Sequence, residues 1–156
     1  MASNKDQAGK PAAYDRKAMA RRVLDAFSTG NTKIIDELFH ANFLSHSEPF
    51  PGVDATREGL KREIQQLREA FPDAKFTADS VTEDGDSVTI HWTMTGTQEQ
   101  PILGVPPSRQ PITQTGQEIL KFHGNQIIGR VGRAEHHEFH AKLRDAGEKA
   151  RREGTG

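Results

Sequence analysis

Apolar positions recur at helical spacing in the first half of the chain and at every second residue in the second half. From about Tyr14, Met19, Val23, Leu24 and Phe27 fall on one helical stripe, with Arg16, Lys17, Arg21 and Arg22 on other faces. Gly30 is a suitable stop, and Asn31 can cap a second helix through Phe39 that buries Ile34, Ile35, Leu38 and Phe39. The stretch 41–53 shows no period and holds Phe43, His46 and the turn formers Pro49, Pro51 and Gly52. Thr56 can cap a third helix, whose stripe is Leu60, Ile64, Leu67 and Phe71; Pro72 ends it, because the residue before a proline resists the helical region.

Beyond Pro72 the period becomes two. The pattern predicts strands over 75–82, 87–95, 112–122 and 126–134. Asp84-Gly85 and Gly124-Asn125 supply the hairpin turns. Along 87–95, Val88, Ile90, Trp92 and Met94 share one face and Thr89, His91, Thr93 and Thr95 the other. Between the second and third of these strands lies Gly96 to Arg109, too long and too apolar for a tight turn. Pro101, Pro106 and Pro107 exclude regular pairing there, and Ile102, Leu103 and Val105 suit an ordered lip over a cavity better than a solvated loop. Helices first and strands afterwards make an α+β domain. Its expected bounds are 14–146, with a flexible segment at 1–13, a closing helical turn on Phe139 and Leu143, and a flexible charged tail at 147–156.

Composition narrows the chemistry. With 156 residues and a formal charge of −1, the chain is long enough to enclose a pocket and too balanced for a nucleic-acid surface. The absence of cysteine excludes disulfides, thiolate catalysis and zinc–thiolate sites. Neither a bilayer-spanning run nor a signal-peptide core is present, so a cytoplasmic protein is expected, without a membrane partner. There is no Gly-x-Ser-x-Gly elbow for acyl-enzyme chemistry. His136, His137 and His140 with Glu135 and Glu138 suggest a metal cluster, but no zincin pattern accompanies them, and the expectation is no metal. Arg109 could meet an anionic group, but solvation accounts for it more simply.

Three motifs point to a family. They are Leu67-Arg68-Glu69-Ala70-Phe71-Pro72-Asp73; Trp92-Thr93-Met94-Thr95-Gly96-Thr97 followed by Gly104-Val105-Pro106-Pro107-Ser108; and Asn125-Gln126-Ile127-Ile128. In that order they resemble the SnoaL-like polyketide cyclases of the nuclear transport factor 2-like superfamily, from about Lys17 to Leu143. The resemblance implies a cone, a curved antiparallel sheet wrapped by three N-terminal helices around an apolar pocket. It also implies a homodimer formed through the exposed sheet face and no metal or organic cofactor. The cyclases close a ring by intramolecular aldol addition, with a carboxylate as acid and base.

The same resemblance exposes a departure. The cyclase aspartate falls on Gly132, a pocket histidine on Glu118, a second histidine on Arg130 and the lip histidine on Gln98. No aspartate lies between Asp86 and Asp145, so a carboxylate must come from elsewhere. Glu118, alternating with Leu120 and Phe122, is the candidate base, with Arg130 across the hairpin as its electrostatic partner. His46 and Gln98 are candidate orienting groups, and Trp92, Met94, Leu103 and Phe122 candidate walls. The expected function is tailoring of a hydrophobic polycyclic, polyketide-like substrate, by hydroxylation with a reductase partner as in a divergent branch of the family. Two alternatives stay open: ring closure by a rebuilt site, and a pocket that only binds, with Glu118 and Arg130 as a structural ion pair.

Overall fold

The computed structural model describes residues 15–46, 52–132 and 136–154. Helix α1 spans Arg16–Thr29, α2 Lys33–Leu38, α3 Arg57–Ala70 and α4 His136–Gly154. Strands β1 to β5 span Phe39–Ser45, Lys75–Asp84, Ser87–Thr97, Pro111–His123 and Gln126–Gly132. They form one sheet in the order β1-β5-β4-β3-β2, antiparallel except that β1 runs parallel to β5.

Helices α1 and α3 are each fixed by a cap and a stripe. Asp15 accepts from the backbone N–H groups of Lys17 and Ala18, and Gly30 closes α1 at φ 78°. Met19, Val23, Leu24 and Phe27 are buried on the sheet side. Thr56 caps α3 through the Gly59 N–H, and Leu60, Ile64 and Leu67 are buried beneath it. Each such side chain contributes about 1.5–3 kcal/mol on burial, so these stripes, more than helix propensity, hold the helices on the sheet. The inner sheet face carries Val88, Ile90 and Met94 from β3, Ile112, Leu120 and Phe122 from β4, and Ile127 from β5, all buried.

Arg16, on a polar face of α1, is tied into the sheet. Its guanidinium donates to Gly124 O at 2.8 Å, to Gly85 O at 3.3 Å and to Asp86 Oδ1 at 3.0 Å, and lies 5.2 Å from the Phe122 ring centroid. One side chain thereby ties α1 to both hairpin turns at one end of the sheet.

Two expectations need correction. The second helix ends at Leu38, and 39–45 is a strand. That strand shows no alternation because only Phe39 and Phe43 are buried and its register against β5 shifts between Phe39 and Leu44. The tail expected to be flexible from 147 is helical to Gly154, since Phe139, Leu143 and Ala146 continue one helical stripe against the core. The N-terminal segment 1–13 lies outside the described residues.

At the other end of the sheet, Gln98 to Gln110 form the lip. Ile102 and Val105 exchange both backbone hydrogen bonds, at 3.1 and 2.9 Å, across a turn made by Leu103 at φ 52° and Gly104 at φ 73°. Both flanking residues are buried, so the lip is a miniature hairpin with its own apolar foot. The Phe71-Pro72-Asp73 motif pins its root. Phe71 lies under Gly96, where an added Cβ would come within 3.2 Å of it, and Asp73 Oδ1 accepts from Thr97 N at 2.8 Å. That backbone donor holds the Asp73 carboxyl below the usual aspartate range.

Candidate functional site

Strand register brings the candidate groups together. Glu118 on β4 pairs with Ile90 on β3 and with Gly132 on β5, while Leu120 pairs with Arg130. Glu118 and Arg130 are therefore diagonal neighbours on the inner face. Arg130 Nε donates to Glu118 Oε1, and Arg130 Nη2 donates to Glu63 Oε2 at 3.1 Å. The side chains of Arg130, Glu118 and Glu63 are 13%, 7% and 8% exposed. One guanidinium thus serves two carboxylates, largely out of water. With all three ionised, the group carries one surplus negative charge, and uptake of a single proton makes it neutral.

Glu63 escaped the sequence reading. It sits three residues after Leu60 and four before Leu67, squarely on the apolar stripe of α3, and is itself buried. A charged residue at a stripe position was the available signal, since such a residue is almost never buried unless paired.

The wall beside this cluster is aromatic. The Phe27 and Phe76 ring centroids are 5.3 Å apart, and those of Phe76 and Trp92 5.5 Å. Phe27 also lies 6.0 Å from the Arg130 guanidinium. Trp92 spreads over Gly116, its cross-strand partner, and a Cβ there would collide with the indole. Trp92, Gly116 and Gly132 remain partly exposed although Ile90 and Leu120 are completely buried. Water reaches this part of the inner face.

The other sequence candidates are dispersed. His46 does not join the cluster: its backbone N–H donates to Arg130 O at 2.8 Å, but its exposed ring lies beside Gly129 and Lys121 on the opposite sheet face. Phe122 is buried at the far end under Arg16. Met94 is buried and pairs with Phe76 and Gln114. Leu103 forms the tip of the lip, partly buried. Gln98 is fully buried, and its Nε2 donates to the carbonyls of Gln100, Val105 and Pro106 at 3.2, 3.0 and 3.1 Å. It therefore braces the lip. Outside the lip, Gly104, Val105 and Pro106 face His140, Arg144 and Glu148 of α4 across a groove of about 690 Å³. Of the proposed histidine cluster, residues 133–135 and the side chains at 136 and 137 lie outside the described residues, and the described residues contain no metal-binding group of acids and histidines.

The model of the SnoaL-like polyketide cyclases matches residues 17–143. This chain belongs to the SnoaL-like polyketide cyclase family. No curated protein matches the sequence. Among solved structures, TsrD from Streptomyces laurentii superposes with a TM-score of 0.73 at 22% identity, covering 86% of this chain and 96% of that one. AclR from Streptomyces galilaeus, named as a candidate hydroxylase, gives 0.72 at 19%, covering 84% and 96%. A candidate polyketide cyclase from Acidithiobacillus ferrooxidans gives 0.71 at 25%, covering 88% and 98%. The fold is the nuclear transport factor 2-like α+β cone. No helix among the described residues is long and apolar enough to cross a membrane.

Proposed function

We propose that this protein is a tailoring enzyme for a hydrophobic, polycyclic, polyketide-like substrate, and that it acts by proton abstraction at a carbon next to a carbonyl. The observation that carries the reading is the pairing of Glu118 with Gly132. Gly132 occupies the position at which the cyclase resemblance expects an aspartate. The carboxylate has moved one strand over, to the same level of the inner face.

The cluster then divides the labour. Glu118 takes the proton, and the C–H electron pair moves into the carbonyl to make an enolate. Protonation neutralises Glu118 and weakens its hold on Arg130, so the guanidinium can turn its charge to the enolate oxygen. Glu63 keeps Arg130 in place meanwhile, as a positioning residue. In ring closure, the enolate carbon attacks a second carbonyl of the same molecule, and the new alkoxide recovers the proton from Glu118. In hydroxylation, the enolate carbon bonds to dioxygen, the resulting peroxide anion takes the proton held by Glu118, and a partner-supplied reductant delivers two electrons that, with two protons from water, give the alcohol and water. The loss of the cyclase aspartate and the likeness to AclR favour hydroxylation, and both routes share the first step.

That step is testable without knowing the product. A tricyclic or tetracyclic polyketide ketone incubated with the protein in deuterium oxide should exchange its α-hydrogen, read by mass spectrometry. Glu118→Gln should slow the exchange by at least about a hundredfold. Exchange undiminished in that variant would remove Glu118 from the chemistry. A binding-only protein is the second reading, favoured by the attachment of both carboxylates to Arg130. Quenching of Trp92 fluorescence by the ketone without any exchange would establish it.

A further inference from the structure

Gln114 lies on the inner face of β4, four residues before Glu118, and is 2% exposed. Its same-face neighbour Ile112 and its cross-strand partner Met94 are both apolar. Nε2 donates to Thr115 O at 2.8 Å, which fixes the nitrogen end of the amide. Oε1 is fully buried and has no hydrogen-bond partner. An orphaned buried acceptor is destabilising, and a leucine or methionine of similar volume would avoid that loss. Gln98 also has an orphaned Oε1, but its nitrogen braces three lip carbonyls, which accounts for its presence. The nitrogen of Gln114 reaches only the carbonyl of the next residue and joins no other element.

We infer that Gln114 Oε1 is the acceptor for a hydroxyl donor on the bound ligand, and so selects hydroxylated polycyclic substrates. The inference deepens the function proposed above and rests on its ligand class. Four residues of strand separate Gln114 from Glu118, about 13 Å, comparable to the length of a fused polycycle lying along β4. Gly116 lies between them with the Trp92 indole over it. A flat ring system in this position meets the indole in the middle, the amide oxygen at the lip end and the carboxylate at the other. A ligand hydroxyl would satisfy the acceptor, whereas a ligand lacking it leaves the oxygen unpaired.

The experiment uses the full chain and two probes, 2-hydroxyanthraquinone and unsubstituted anthraquinone, with quenching of the single tryptophan, Trp92, as readout. The wild-type protein should prefer the hydroxylated probe by about tenfold in Kd. Gln114→Met should abolish the preference, leave anthraquinone binding unchanged and keep or raise Tm, because it removes an unsatisfied buried acceptor. A preference that survives in Gln114→Met overturns this inference alone. So does a variant that unfolds or binds both probes equally less well, since the amide would then be structural. Failure of both probes to quench the wild-type protein overturns the inference together with the ligand class beneath it.

Discussion

Helix α3 takes part in two ion clusters, each built on two carboxylates, the first with two cations and the second with one. In the first, Lys61 Nζ lies 2.6 Å from Asp36 and 3.0 Å from Glu58, whose side chains are 46% and 70% exposed, and Arg57 Nε lies 3.7 Å from Asp36. In the second, Arg130 holds Glu63 and Glu118, which are 8% and 7% exposed. The first is a brace between α2 and α3 whose charges remain in water, and exposed pairs of this kind contribute roughly 0–1 kcal/mol. The second places three ionisable groups where desolvation opposes them. The buried cluster lies two residues along β4 from the Trp92–Gly116 pair, and it is the one on which the proposed proton abstraction rests.

That contrast predicts a gradient of effects. Arg130→Met should cost most, about 3–5 kcal/mol in urea unfolding, because two buried carboxylates lose their only cation in the cluster. A loss below 1 kcal/mol would show that the group is far more solvated than its geometry indicates. Glu118→Gln and Glu63→Gln should each cost about 1 kcal/mol, since the amide oxygen still accepts from Arg130 and the surplus charge is gone. They should differ in activity: Glu118→Gln loses α-proton exchange, while Glu63→Gln retains a slowed reaction. Equal activity losses would erase the distinction between base and positioning residue.

Lys61→Met should cost least, below about 1 kcal/mol. Its pH dependence has a definite sign. The hydrogen bond to Asp36 is the main influence raising the Lys61 amine above its ordinary value of 10.5. A raised amine contributes its stability fully below that value and loses it as pH rises through the higher folded value. The gap between wild type and Lys61→Met should therefore stay constant from pH 7 to 9 and close in strong alkali. A gap that widened there would mean that the brace is not electrostatic.

What could be read from the chain follows from how locally each feature is encoded. The stripes of α1 and α3, the Asp84-Gly85 turn and the alternation of β3 need only neighbours, and they were legible. Glu118 and Arg130 were legible as partners because a single hairpin brings them together. Strand β1 was not, since its pairing is with β5 and only two of its side chains reach the core. Glu63 was hidden because its partner lies on a distant strand. The length of α4 was obscured by its charged outer face and by Gly147, although Phe139, Leu143 and Ala146 mark its inner one. His46 looked like a site residue by position in the chain, but the side of the sheet on which its ring emerges depends on an irregular strand, which alternation cannot predict.

The parallel union of β1 with β5 has a consequence for how the molecule is made. The earliest strand completes its hydrogen bonds only with the latest, so closure of the sheet waits for nearly the whole polypeptide. Such distant contacts slow folding. A nascent chain halted before Gln126 presents two open strand edges, β1 and β4, to whatever is nearby. Arg130 arrives on that last strand, so the Glu63–Arg130–Glu118 cluster is assembled by the same event that seals those edges, and truncated products should aggregate and lack the cluster together.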